Sequence, residues 1–383
     1  MENPKIRFLK NKHSWVRSTF EEIAKRRTKS SDNPDLPRIE YQDILSGEGR
    51  LNKELSKNID CRKGIVFETN DILYGKLRPY LKNWLHPNFN GIALGDFWVL
   101  QARNCDSKFL FSLVQSPKFQ RVANDTSGTK MPRSDWKTVS QTEFSIPASN
   151  DEQSAIGSLF RTLDDLLAGY KDNLANYQSL KATMLSKMFP KAGQTVPEIR
   201  LDGFEDRWEE KEFIQIVNRV TESSDSDSLP KVEFEDIISG QGKLNKDISS
   251  KFDNRKGILF KPGYTLYGKL RPYLNNWLLP KFEGVALGDF WVFDPNGNNS
   301  DFIYYLVQSS RYQKVANDTS GTKMPRSDWK SVSTTIFAIP QTIAEQQAIG
   351  SYFSNLYNLI NSHQEKISQL ETLKKKLLQD MFI

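Results

Sequence analysis

Two short stretches carry side chains suited to holding a nucleic acid, and each occurs twice. Lys76, Arg78 and Tyr80 lie in the run Tyr-Gly-Lys-Leu-Arg-Pro-Tyr at 74–80, and Lys269, Arg271 and Tyr273 lie in the identical run at 267–273. If Lys76 to Leu81 is extended, strand alternation sends Lys76, Arg78 and Tyr80 to one side and Leu77 and Leu81 to the core, which makes one face positive. The second stretch, Thr126 to Arg133, holds Gly128 and Pro132, the residues of an ordered loop. The hydroxyls of Ser127 and Thr129 and the backbone amides suit phosphate oxygens, while Lys130 and Arg133 are long enough to reach guanine edges. Ser320, Thr322, Lys323 and Arg326 repeat that set. The competing reading is a solvated face with a loop that merely closes a domain. Trp84, Trp98 and Trp136 read as core anchors rather than base-stacking platforms.

A catalytic site built once per repeat should recur at both positions, and the enzymatic options fail that test. His13, His86 and His363 stand opposite Asp206, Leu279 and Tyr170, so neither a His-based zinc site nor a His general base recurs. Cys61 and Cys105 stand opposite Asn254 and Asn298 and read as free thiols of a reducing compartment. Ser239 to Lys243 resembles a phosphate-binding loop, but Leu244 replaces the Ser or Thr that holds magnesium and the leading glycine is missing. The sequence contains neither the Asn/Asp-Pro-Pro-Tyr run of an adenine methyltransferase nor a GxGxxG loop. Asp96 and Asp289, each in a Gly-Asp-Phe-Trp run, read either as catalytic carboxylates or as turn caps above a core, with the cap preferred.

The elements that position these residues follow from the repeat. At a constant offset of 193 residues, 95–99 maps onto 288–292 and 128–136 onto 321–329, while Trp15 pairs with Trp208 and Met188-Phe189 with Met381-Phe382. Residues 1–190 and 194–383 are therefore two copies of one unit. From Pro37 to Ile146 about three positions in five are identical in the second copy, charges included, whereas the flanks keep mainly an apolar pattern. The centre is held to one surface chemistry and the flanks to packing.

Each copy ends in a helical seam. Ile156, Phe160, Leu163, Leu167, Tyr170, Leu174 and Tyr177 step by alternating fours and threes, as do Ile349, Phe353, Leu356, Ile360, His363, Ile367 and Leu370. A helix over 151–188 would extend about 55 Å. The two seams predict rods that pair antiparallel, which relates the copies by a pseudo-two-fold axis with inverted heads; separate helices packed on their own domains are the alternative. The heads read as mixed α and β, with strands at 64–67, 92–100 and 142–146 and short helices at 109–115 and 119–123. The fold class is α+β, with heads at 1–150 and 193–343, the first long helix and linker at 151–192 and the second long helix at 344–383. A chain of 383 residues with 38% hydrophobic and 26% charged residues supports two such cores, and its net charge of +6 suits a polyanionic partner. The N-terminus lacks the apolar stretch of a signal peptide and no apolar run reaches membrane-spanning length, which predicts a cytoplasmic protein.

In this doubled order the motifs resemble the specificity subunit of Type I restriction-modification systems over essentially the whole chain. The residues that carry the likeness are Lys76 to Leu81, Gly128-Thr129, Ile146-Pro147 and Glu152-Gln153, then Lys269 to Leu274, Gly321-Thr322, Ile339-Pro340 and Glu345-Gln346. The resemblance implies two target recognition domains separated by long helices in an antiparallel coiled coil. Each domain would read half of a split double-stranded DNA site in the major groove, with two modification subunits docked on the helices and restriction subunits beyond them. It implies no catalysis and no cofactor in this chain. S-adenosylmethionine, ATP and magnesium would belong to the partners, which would carry adenine-N6 methyltransferase and ATP-dependent endonuclease activities. Heads in that family usually differ; near-identical inverted heads predict an interrupted palindrome. The alternatives are a stand-alone sequence-specific DNA-binding regulator, and a nuclease or methyltransferase with an unfamiliar site.

Overall fold

The computed structural model describes residues 4–8, 14–52, 61–125, 130–248, 254–319 and 323–382. The chain forms two compact units, 1–173 with 363–383, and 174–362. The dividing line crosses both long helices, so each unit owns one head and a segment of each helix.

In the first unit two four-stranded sheets form the head. One orders Ala24–Arg26, Phe97–Ala102, Ile72–Gly75 and Trp84–Leu85, all antiparallel. The other orders Ser30–Ser31, Gly64–Phe67, Gly91–Ala93 and Arg38–Ile39, the last pair parallel. Ile39, Phe67, Leu73, Leu85, Phe97 and Val99 form a small core between them. The residues expected as one strand at 92–100 are two, because Gly95 adopts φ +86 and turns the chain between Ala93 and Phe97. The expected strand at 64–67 and the helices Ser107–Gln115 and Pro117–Ala123 are present, each helix N-capped by a side chain, Asp106 or Ser116.

A larger core joins this head to its helix segments. Trp15–Thr19 pairs with Glu143–Pro147, the strand immediately before the first long helix, Asn150–Lys187. Ile156, Phe160, Leu163 and Leu167 bury against Phe109, Leu113, Leu378 and Phe382. Gly157 allows the helix to lie directly on the head: a Cβ there would stand 2.5 Å from the backbone nitrogen of Phe109. The second long helix, Ile343–Met381, contributes its C-terminal part and runs antiparallel to the first. Phe160 meets Phe382 at 5.7 Å, Asp164 pairs with Lys374 at 2.5 Å, Lys171 with Glu371 at 2.8 Å, and Tyr170 faces His363 at 5.3 Å. Rising numbers on the first helix meet falling numbers on the second, which marks the pair as antiparallel, and Tyr170 and His363 are equivalent under the 193-residue offset.

The second unit repeats the plan. Its sheets order Asn218–Val220, Phe290–Asp294, Thr265–Gly268, Trp277–Leu278, and Ser223–Ser224, Gly257–Phe260, Gly284–Ala286, Lys231–Val232. Its helix pair is antiparallel as well, with Phe189 stacked on Phe353 at 6.0 Å and Lys181 lying 6.0 Å from the Tyr357 ring. Asp164 of the first unit corresponds to Tyr357, so an ion pair in one unit is replaced by a cation–aromatic contact in the other.

The paired motifs Glu152-Gln153 and Glu345-Gln346 fasten helix to head. Glu152, fully buried, accepts hydrogen bonds from Arg7 at 2.7 and 2.9 Å and from the Trp15 indole at 3.2 Å. Gln153 donates to the Pro147 carbonyl and accepts from the Asp106 amide, both at 2.8 Å. Arg200, Trp208, Glu345 and Gln346 make the same set in the second unit. Among the described residues no helix is long and apolar enough to cross a membrane.

Candidate nucleic-acid interface

The basic motifs, far apart in sequence, come together on one face of each head. Residues 76–81 are not extended. Leu77 bridges Arg133, then Arg78 takes the left-handed conformation at φ 49 and Pro79–Leu81 forms one turn of 3-10 helix. Pro79 is the residue that turns inward, while Leu81 is 40% exposed, so the expectation that Leu77 and Leu81 face the core fails at Leu81 and holds only halfway at Leu77. A left-handed non-glycine residue costs on the order of 1 kcal/mol, and such strain concentrates at functional sites. Arg271 repeats it at φ 47. The result still presents Arg78 and Tyr80 outward, Tyr80 being 56% and Tyr273 58% exposed.

Backbone hydrogen bonds stitch this turn to the second motif. The Arg78 amide donates to the Pro132 carbonyl at 2.7 Å, and the Ser134 amide donates to the Lys76 carbonyl at 2.8 Å. Arg271 with Pro325 and Ser327 with Lys269 repeat both at the same lengths. The Ser134 hydroxyl, buried, donates to the Ala123 carbonyl at 2.7 Å and ties the loop to the end of a helix. Lys130 and Arg133 are exposed beside Met131, and Lys323 and Arg326 match them beside Met324. Ser127, Thr129, Ser320 and Thr322 lie outside the described residues.

Asp96 joins the group through its side chain. Its carboxylate lies 3.1 Å from Arg133 Nη2 and 3.5 Å from Lys76 Nζ, and Asp289 lies 3.0 Å from Arg326 and 3.7 Å from Lys269. Partial burial pushes the Asp96 carboxyl up, but Arg133 and Lys76 outweigh it and hold the group below its ordinary value. Its backbone carbonyl accepts from the Lys76 amide at 2.9 Å and from the Tyr41 hydroxyl at 2.6 Å. The Gly-Asp-Phe-Trp run is therefore a junction for basic residues, a role that neither the catalytic nor the turn-cap reading of the sequence included. Alternation along the chain could not reveal it, because Lys76, Asp96 and Arg133 meet only through the fold. An open cleft of about 760 Å³ adjoins the junction, lined by Tyr41, Arg62, Lys63, Leu77 and Asp96 among others.

The tryptophans are structural. Trp84 and Trp98 are buried, and Trp136 is half-buried under the Arg26 guanidinium at 5.0 Å. His86 is enclosed against Phe111, and burial, with help from Arg161, drives its imidazole down to about 4. The phosphate-loop-like stretch at 239–243 is the turn of a hairpin between Ile237–Ile238 and Lys243–Leu244, and among the described residues no helix directly follows it to receive a phosphate.

Comparisons with known proteins give one consistent likeness. Residues 211–372 match the family model of the Type I restriction modification DNA specificity domain. The Type I restriction enzyme EcoDI specificity subunit of Escherichia coli is 24% identical over 196 residues, 49% of this chain and 44% of that subunit, so the match spans less than half of the relative. The crystal structure of the Type I restriction-modification S subunit from M. genitalium superposes with a TM-score of 0.63 at 14% identity, over 100% of this chain and 99% of that one. A chain from a study of complex assembly and conformational transition in a type I R-M system gives a TM-score of 0.52 at 17% identity, over 95% and 96%. The likeness to Type I specificity subunits thus extends to the fold of the whole chain.

Proposed function

We propose that this chain is the DNA-reading subunit of a Type I restriction-modification assembly, each head recognising one half of a bipartite double-stranded target. The observation that carries the reading is the recurrence, in two units, of one junction of Lys, Arg and Tyr at the ends of the two central strands of a sheet. Lysines at the rim neutralise phosphates and set a salt-dependent affinity. Arginines beside the cleft supply base contacts, since a guanidinium fork pairs two acceptors of guanine in the major groove. In this reading the chain is not an enzyme. Its long helices dock two modification subunits, which bring S-adenosylmethionine chemistry, and restriction subunits add ATP- and magnesium-dependent cleavage.

The two heads keep the same Lys, Arg, Tyr and Asp at 76, 78, 80, 96, 130 and 133 and at 269, 271, 273, 289, 323 and 326, so both read the same half-site, on opposite strands, and the full target is an interrupted palindrome. Methylation mapping in the source cell tests this. Adenine methylation at two inverted copies of one short sequence, separated by a fixed spacer and lost when the gene is deleted, is the expected result. Two unrelated half-sites reject the palindrome. Co-purification separates a complex from a stand-alone regulator: about two methyltransferase chains per copy are expected, and none would reject the assembly.

A further inference from the structure

We infer that Asp96 and Asp289 are positioning residues for base reading, each carboxylate holding one edge of the Arg133 or Arg326 guanidinium so that the opposite edge faces a guanine. The inference rests on the reading of these loops as the DNA-contacting surface. A carboxylate on such a surface repels phosphates and lowers affinity for every sequence. Yet both units place one between the same Lys and the same Arg, and leave it 26–29% exposed. The turn itself does not require the charge, because the contacts that hold the turn use the Asp96 and Asp289 backbone carbonyls.

The geometry shows what the charge does. Asp289 takes the Nε and Nη2 edge of Arg326, at 3.3 and 3.0 Å, which leaves the Nη1 edge directed away from the carboxylate. Asp96 takes Nη2 of Arg133 at 3.1 Å. Both arginines remain half exposed. A guanidinium presents five N–H donors in a rigid plane, so fixing one edge fixes the direction of the other and removes rotamer entropy before DNA arrives. Lys76 and Lys269 share the carboxylate and keep it from swinging outward.

The test uses the full chain and a randomised duplex library, with the bound sequences enriched and read out. The wild type should enrich a motif with a guanine at an equivalent position in each half-site. Asp96→Asn with Asp289→Asn should lose preference for that guanine by about ten- to a hundredfold, while binding unselected duplex more tightly. Asp96→Glu with Asp289→Glu keeps the charge but displaces it, and should lose the guanine without the gain in unselected binding; this pair carries the test if the Asn variants fail to fold. Each substitution made singly should affect one half-site, with the other as internal control. An unchanged motif in the Asn and Glu variants, alongside loss of the guanine in Arg133→Ala with Arg326→Ala, overturns the positioning role and leaves the DNA surface in place. An unchanged motif in the Arg variants overturns the reading beneath it.

Discussion

Replacing Lys130 and Lys323 with alanine should change how binding depends on salt, and replacing Arg133 and Arg326 should change what is bound. The distinction comes from the structure. Lys130 and Lys323 are exposed, whereas Arg133 and Arg326 are held by carboxylates at the junction. Each lysine that neutralises a phosphate contributes about 0.9 to the slope of log affinity against log salt, so losing two lowers the slope by about 1.8. From roughly 50 to roughly 200 mM salt, that removes about a tenfold part of the total loss of affinity. The lysine variant should weaken binding to target and unrelated duplexes alike. The arginine variant should cost on the order of 1–3 kcal/mol of discrimination per head with little change of slope. Fluorescence anisotropy on a target duplex and a scrambled one, across a salt series, measures both quantities. A lysine variant with the wild-type slope, or an arginine variant that weakens both duplexes equally, would refute the division of labour.

Other consequences concern stability. His86 is neutral when folded, with its value lowered from 6.5 to about 4. Between those values the unfolded chain binds the extra proton, so stability is intact above pH 6.5 and falls as pH drops toward 4, by about 3 kcal/mol in all. His86→Leu, the residue at the equivalent position 279, should abolish that part of the pH dependence; urea unfolding at neutral and mildly acidic pH checks it, and an unaltered difference would contradict it. Glu152→Ala removes the buried carboxylate to which Arg7 and the Trp15 indole donate and should cost about 3–5 kcal/mol, read as a lowered unfolding midpoint. Gly157→Ala drives a methyl group into the backbone of Phe109 and should destabilise the first unit by about 1–3 kcal/mol in the same assay, with Gly350→Ala acting alike in the second.

Much of this fold was legible because its signals are local or periodic. The seam from Ile156 to Leu167 and the strand at 64–67 follow from spacing alone, and the doubled motifs announced two equivalent units. The break at Gly95 was harder, because the apolar run from Ile92 to Leu100 continues through it and only the left-handed glycine stops the strand. The turn at Arg78 was misread for a related reason: Pro79 fixes its own φ and tucks inward, overriding the alternation that would have buried Leu81. Glu152 gave no chemical hint in the sequence, since its partner Arg7 is 145 residues away. The Asp96 junction was invisible for the same reason, being assembled from three segments.

The two heads differ by one oxygen at a place where that matters. Tyr41 accepts from the Leu77 amide at 3.2 Å while donating to the Asp96 carbonyl, so its hydroxyl rivets the basic turn to the junction. The corresponding residue is Phe234, which stacks on Phe290 and has no hydroxyl to offer. The first head therefore has one more tie across its basic turn than the second, which in the proposed reading makes it the stiffer of the pair and the second the more forgiving. In the proposed reading, on a target with one imperfect half, the orientation that gives the flawed half to Phe234's side should dwell longer, so two heads proposed to read both strands alike would retain a slight handedness.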